Sequence, residues 1–184
     1  MSQAFDEVLS PTPHYYEIRG RAAEIARALG SPAGGAEHLF LGMLHDGGWP
    51  VGVLSRLVDP GQAEAAVLGI LNSPGYSPPP PPRSFVPSFY VRPWGAETAV
   101  EMGDSYLGVE HALLAMIRTR DTVPARALAG LADLDALEAA VLEAKNAPAD
   151  PGDDADERTW MHVIGPGGSL GCGVTREVLN TALA

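Results

Sequence analysis

Gly35-Ala36-Glu37-His38-Leu39-Phe40-Leu41-Gly42-Met43-Leu44 has a counterpart further along the chain, Gly108-Val109-Glu110-His111-Ala112-Leu113-Leu114-Ala115-Met116-Ile117. Glu37 and Glu110 stand 73 positions apart, and the same spacing pairs Ala23 with Ala96, Ala26 with Ala99, Leu29 with Met102 and Gly30 with Gly103. After one inserted residue the register continues at a spacing of 74: Pro50 with Pro124, Leu54 with Leu128, Leu57 with Leu131, Asp59 with Asp133. Glu64-Ala65-Ala66-Val67-Leu68 then recurs unchanged as Glu138-Ala139-Ala140-Val141-Leu142. A register kept through an insertion marks an internal repeat, and a repeat decides the architecture before any single element does.

Each copy reads as helices. Ala22, Ile25, Ala26 and Leu29 form one apolar helical stripe, closed by Gly30 as a C-terminal cap. A second helix is expected over Glu37 to His45, with Leu41 and Leu44 buried and Gly47-Gly48 ending it. A third follows Pro50, which suits a first turn, and carries Val53, Leu54 and Leu57. A fourth runs from Gln62 to Leu71. The second copy repeats the plan over Pro93 to Met102, Glu110 to Arg118, Val123 to Leu131 and Leu134 to Lys145. The expected fold class is therefore all-α: two pseudo-twofold-related four-helix repeats, residues 14–72 and 93–145, making one eight-helix bundle. Each half is too small to be comfortable alone and should bury its apolar face against the other.

Outside the repeats lie three further segments. Residues 73–92 hold five consecutive prolines, Pro78 to Pro82, and read as a stiff polyproline linker whose end Phe85, Phe89 and Tyr90 pin to the body. Residues 146–158, with Asp150, Asp153, Asp154, Asp156 and Glu157, read as a solvated acidic linker. Residues 159–184 form a C-terminal extension with no role legible in its pattern.

Composition narrows the classes of function. Twelve Lys+Arg against 23 Asp+Glu give a formal net charge of −11, which opposes binding to nucleic acid or to an anionic membrane surface. No apolar run approaches the roughly 20 residues of a membrane helix. Met1 to Ser10 lacks the basic and apolar regions of a secretory signal, and the one cysteine forms no intramolecular disulfide, so a cytoplasmic protein is expected.

The repeated Gly-x-Glu-His before an apolar helix, preceded in each copy by a helix ending at Leu29-Gly30 or Met102-Gly103, resembles the Clp N-terminal repeat of the Hsp100 and ClpC-type unfoldases. The resemblance spans residues 14 to 145. It implies a double Clp-N domain, here without the ATPase: the one Gly-rich stretch, Gly165 to Gly173, has no lysine and is no P-loop. It further implies a non-enzymatic binding module without cofactor or metal. Its partners would be protein or peptide: a Clp adaptor, a substrate, a Clp unfoldase or a cyclic peptide antibiotic. In that family the motif glutamates hold the guanidinium of phosphorylated arginine, so the resemblance points to Glu37 and Glu110, with Ala36, His38, Val109 and His111 beside them. A carboxylate matches a guanidinium fork, and helix-terminal amides suit a phosphate. The family threonine is Ala36 in one copy and Val109 in the other, which removes a candidate helix-capping hydroxyl. The plainer reading of both glutamates is as first-turn acids that complement the helix dipole.

Other chemistries have thinner support. Adjacent helical side chains diverge by about 100°, which makes Glu37 with His38 poor joint metal ligands and favours structural histidines. Trp49, Trp94 and Trp160 are expected to anchor loops and helix ends. Two alternatives remain: a small enzyme using Cys172 as nucleophile with His162 as base, or a structural regulator of Clp ring assembly.

Overall fold

The computed structural model describes residues 10–78 and 94–147. The proline run beyond Pro78 with Phe85, Phe89 and Tyr90, the acidic linker, and the C-terminal extension with Trp160, His162 and Cys172 lie outside the described residues.

Eight helices are present among the described residues, four per copy. The first copy holds α1 (Pro13–Ala28), α2 (Ala36–Asp46), α3 (Gly48–Leu54) and α4 (Pro60–Leu71). The second holds α5 (Ala96–Glu101), α6 (Val109–Arg118), α7 (Val123–Ala129) and α8 (Leu134–Asn146). Their starts follow capping chemistry: Thr12, Asp59, Thr122 and Asp133 each accept a first-turn amide, and Pro stands at an early position in α1, α4 and α7. Gly30 and Gly103, at φ of 70° and 75°, close α1 and α5 in the same way, with Ser31 N–H reaching Ala26 O and Asp104 N–H reaching Ala99 O, both at 2.9 Å. This matched pair is the repeat made visible in backbone geometry.

The halves exchange helices. The third helix of each copy packs on the fourth of the other, α3 on α8 and α7 on α4, while α2 and α6 meet at the centre. Each second helix also touches the other copy's third, so the two sets of contacts correspond under a pseudo-twofold operation. The core is continuous across the halves: Tyr15, Ile18, Leu39, Phe40, Met43 and Leu54 join Leu113, Leu114, Met116, Ile117 and Leu128, all fully buried. Two-residue strands β1 (Ser10–Pro11) and β2 (Tyr106–Leu107) pair in parallel, an element without a signal in the repeat.

Several expectations need correction. Leu29 is 46% exposed, since it forms the C-cap where the stripe leaves the core, and Leu44 is only partly buried. Leu57 lies beyond the end of α3 and is exposed, as its counterpart Leu131 is beyond α7. The first helix of the second copy is far shorter than Pro93 to Met102, because Gly95, in the left-handed region, bounds it at Ala96.

A single hydroxyl ties α1 to that start. Tyr15 Oη accepts the Trp94 N–H and donates to the Trp94 carbonyl, both at 2.9 Å, with the Tyr15 side chain wholly buried. Tyr15→Phe keeps the ring and removes both bonds, so unfolding free energy should drop by about 1–3 kcal/mol in urea titrations. A drop below about 0.5 kcal/mol, the range of an ordinary surface change, would show that the stitch does not contribute.

Candidate functional site

Glu37 and Glu110 are the second residues of α2 and α6, and the helices that carry them start in an unusual way. The N-cap positions are Gly35 and Gly108, both extended, and neither has a side chain to cap with. The histidine three residues on does the reverse job: His38 Nδ1 accepts Gly35 N–H at 3.0 Å, and His111 Nδ1 accepts Gly108 N–H at 2.9 Å. That is one half of a capping box, with imidazole in place of Glu or Gln. Ala36 and Val109 therefore occupy the first helical turn, buried in the core, and not the cap. The expectation of a lost capping hydroxyl is corrected in position: a hydroxyl at 36 or 109 would stand one residue inside the helix, and the histidine bond serves the N-cap amide, with no side-chain cap on either helix start.

The glutamates fold back over the helix start. A Cβ on Gly35 would stand 2.5 Å from Glu37 Oε1, and one on Gly108 would stand 2.5 Å from Glu110 Cδ. The glycines leave room for this fold-back: their φ of −107° suits any residue, and a Cβ there would push the carboxylate end aside. The same fold-back brings Glu37 Oε1 within 3.2 Å of His38 Nδ1, so the divergence expected of neighbouring helical side chains is overcome. In the second copy the matching distance is 3.7 Å. Nδ1 accepts a hydrogen bond from the glycine N–H and so has no proton of its own there to give the carboxylate. Among the described residues no group of three or more His, Cys, Asp and Glu is placed to hold a metal ion.

The two copies diverge beyond this shared core. Over Glu37 lies Tyr76, whose hydroxyl donates to Oε1 at 2.8 Å. Burial opposes ionisation of Glu37, but the backbone N–H of Glu37 and the Tyr76 hydroxyl both donate to the carboxylate, and its pKa lies below the ordinary 4.5. Burial and the facing carboxylate push the Tyr76 phenol above its ordinary range, with the Ser31 hydroxyl acting in the opposite direction. In the second copy Ser31 is replaced by Asp104, which accepts from His111 Nε2 at 2.8 Å and pairs with Lys145 Nζ at 2.8 Å. Burial opposes ionisation of Asp104 too, and Lys145 and His111 outweigh it and lower its pKa. Both ring nitrogens of His111 are engaged: Nδ1 accepts the Gly108 N–H, so the proton shared with Asp104 is on Nε2.

Both acids have folded-state pKa values below their ordinary ones, so their stabilisation is present above those values and is lost as pH falls through the folded ones. The thermal midpoint should therefore decline as pH drops below 4.5, and Glu37→Gln with Asp104→Asn should flatten that acid limb. Identical limbs for variant and wild type would remove these two groups from the account.

Tyr76, Asp104 and Lys145 were not legible as site residues. For Tyr76 a signal existed, in that Ser73-Pro74-Gly75-Tyr76 follows α4 directly and Pro-Gly turns a chain back. The turn forms, with Tyr76 N–H on Ser73 O at 3.1 Å.

Comparison with solved structures bears on the architecture that carries these two sites. The N-terminal domain of the caseinolytic protease associated chaperone ClpD from Arabidopsis thaliana matches with a TM-score of 0.58 at 20% sequence identity, over 79% of this chain and 99% of that one. The fold is that of a Clp N-terminal domain. The Hsp104 N-terminal domain from Candida albicans shares the Clp N-domain fold, with a TM-score of 0.56 at 17% identity over 74% of this chain and 92% of that one. No family model matches the sequence, and no curated protein matches it. The Clp N-domain reading of the repeat is thus met at the level of fold. Among the described residues no helix is long and apolar enough to cross a membrane.

Proposed function

We propose that this chain is a non-enzymatic recognition module of the Clp system, which binds adaptors, substrate peptides or cyclic peptides at the acid-bearing starts of α2 and α6. The chemical mark that suits such a site best is a phosphoarginine side chain. The observation that carries the reading is the fold-back of each carboxylate over a helix start cleared by glycine. It sets a guanidinium acceptor next to backbone amides and the positive end of a helix dipole, the two halves of a phosphoguanidinium receptor. The likeness of fold to the ClpD and Hsp104 N-terminal domains supports the Clp setting. The charge of −11 favours a partner with basic groups.

Calorimetric titration with a phosphoarginine peptide, and with the same peptide carrying plain arginine, tests it. The wild type should prefer the phosphorylated peptide. Glu37→Ala/Glu110→Ala should weaken it about tenfold or more, the worth of a charge-assisted hydrogen-bond pair. Binding retained in the double variant would end the assignment of these glutamates.

A further inference from the structure

The two acids are alike in backbone and unlike in access. Glu37 Oε1 is taken by a hydroxyl of its own chain, and the Glu37 side chain retains 8% of its exposure. Glu110 retains 15%, and among the described residues its carboxylate meets only the His111 ring, at 3.7 Å. Tyr76 does not reach Glu37 by chance of a long side chain. Ser73 Oγ donates to Ile70 O at 2.6 Å, Tyr76 N–H closes the turn on Ser73 O, and the turn brings the phenol over the start of α2. In the second copy the position of Ser31 holds Asp104, which is committed to His111 and Lys145.

We infer that Tyr76 is a built-in occupant of the first acid site, and that the chain offers an incoming cationic side chain one open acid, Glu110, with Glu37 held in reserve behind the tyrosine. A guanidinium approaching Glu37 would have to displace a charge-assisted hydrogen bond and a half-buried aromatic ring, whereas among the described residues the Glu110 carboxylate carries no such hydroxyl. The inference rests on the proposed function only for the nature of the ligand. The closure of Glu37 stands apart from it.

Carboxyl labelling with a water-soluble carbodiimide and glycine ethyl ester, read per residue by mass spectrometry, tests the closure without a ligand. In the wild-type protein Glu37 should label about tenfold to a hundredfold more slowly than Glu110, the protection given by one charge-assisted hydrogen bond. Tyr76→Ala should bring Glu37 up to the rate of Glu110, with circular dichroism confirming the helices. Tyr76→Phe keeps the ring over the site without its hydroxyl and should give an intermediate rate. Equal labelling of the two acids in wild type, or continued protection of Glu37 in folded Tyr76→Ala, overturns the inference. Failure of every variant to bind a phosphoarginine peptide, with the labelling asymmetry intact, would sink the proposed ligand and leave the closure standing.

Discussion

Gly95→Ala should lower the unfolding free energy by about 3–5 kcal/mol, a large share of the stability of a domain this size. Gly95 has φ of 95°, a region costly for any residue with a Cβ. The added methyl would also stand 2.5 Å from Ala112 N and His111 C, and neither is a flexible side-chain end that can swing away. Relief requires α5 to lift from α6, which loosens the helix start that holds Glu110 and His111. Gly20→Ala is the matched control: Gly20 is exposed inside α1, meets nothing within 4 Å and should gain about 0.5–1 kcal/mol from helix propensity. Urea unfolding of both variants reads the contrast. A loss below about 1 kcal/mol for Gly95→Ala would mean that α5 yields freely and does not fix the second site.

The second large effect is Phe40→Ala, expected to cost about 3–5 kcal/mol. Phe40 is wholly buried on α2, the helix that meets α6 at the centre, so its removal opens a cavity in a core shared by both copies. The shape of the transition is as informative as the cost. With α3 on α8 and α4 on α7, the second copy has no complete core of its own. Thermal unfolding of the variant should therefore remain a single transition, with the far-ultraviolet signal and Trp fluorescence coincident. Two separated transitions, with half the helix surviving the first, would show that the copies fold independently.

The repeat was legible because exchange symmetry leaves paired marks in sequence: Leu29-Gly30 against Met102-Gly103, Asp59 against Asp133. Those pairs are caps, and caps are local chemistry that periodicity and residue type report well. Position in the core was less legible. Leu29 and Leu57 carry core-like residue types but stand at helix ends where the chain turns outward, and a stripe says nothing of where its helix stops. The short α5 was hidden for a related reason: the register with the first copy ran back to Ala23 and Ala96 without showing that Gly95 crosses the α6 backbone. At the candidate site, Glu37, Glu110, His38 and His111 were found through the motif, while the capping role of the histidines depends on ring orientation at the third helical position. Tyr76 acts from 39 residues away, through a tertiary contact that no spacing rule encodes.

The exchanged third helices bear on how such a chain can change over time. Each copy's α3 or α7 is clamped by the other copy's last helix, so the order in which the two copies follow one another along the chain is immaterial to those contacts. A circular permutant beginning with the second copy would present the same surfaces to itself. Either copy's outer chemistry can then drift, as Ser31 and Asp104 already differ, while the partner copy keeps the common frame in register.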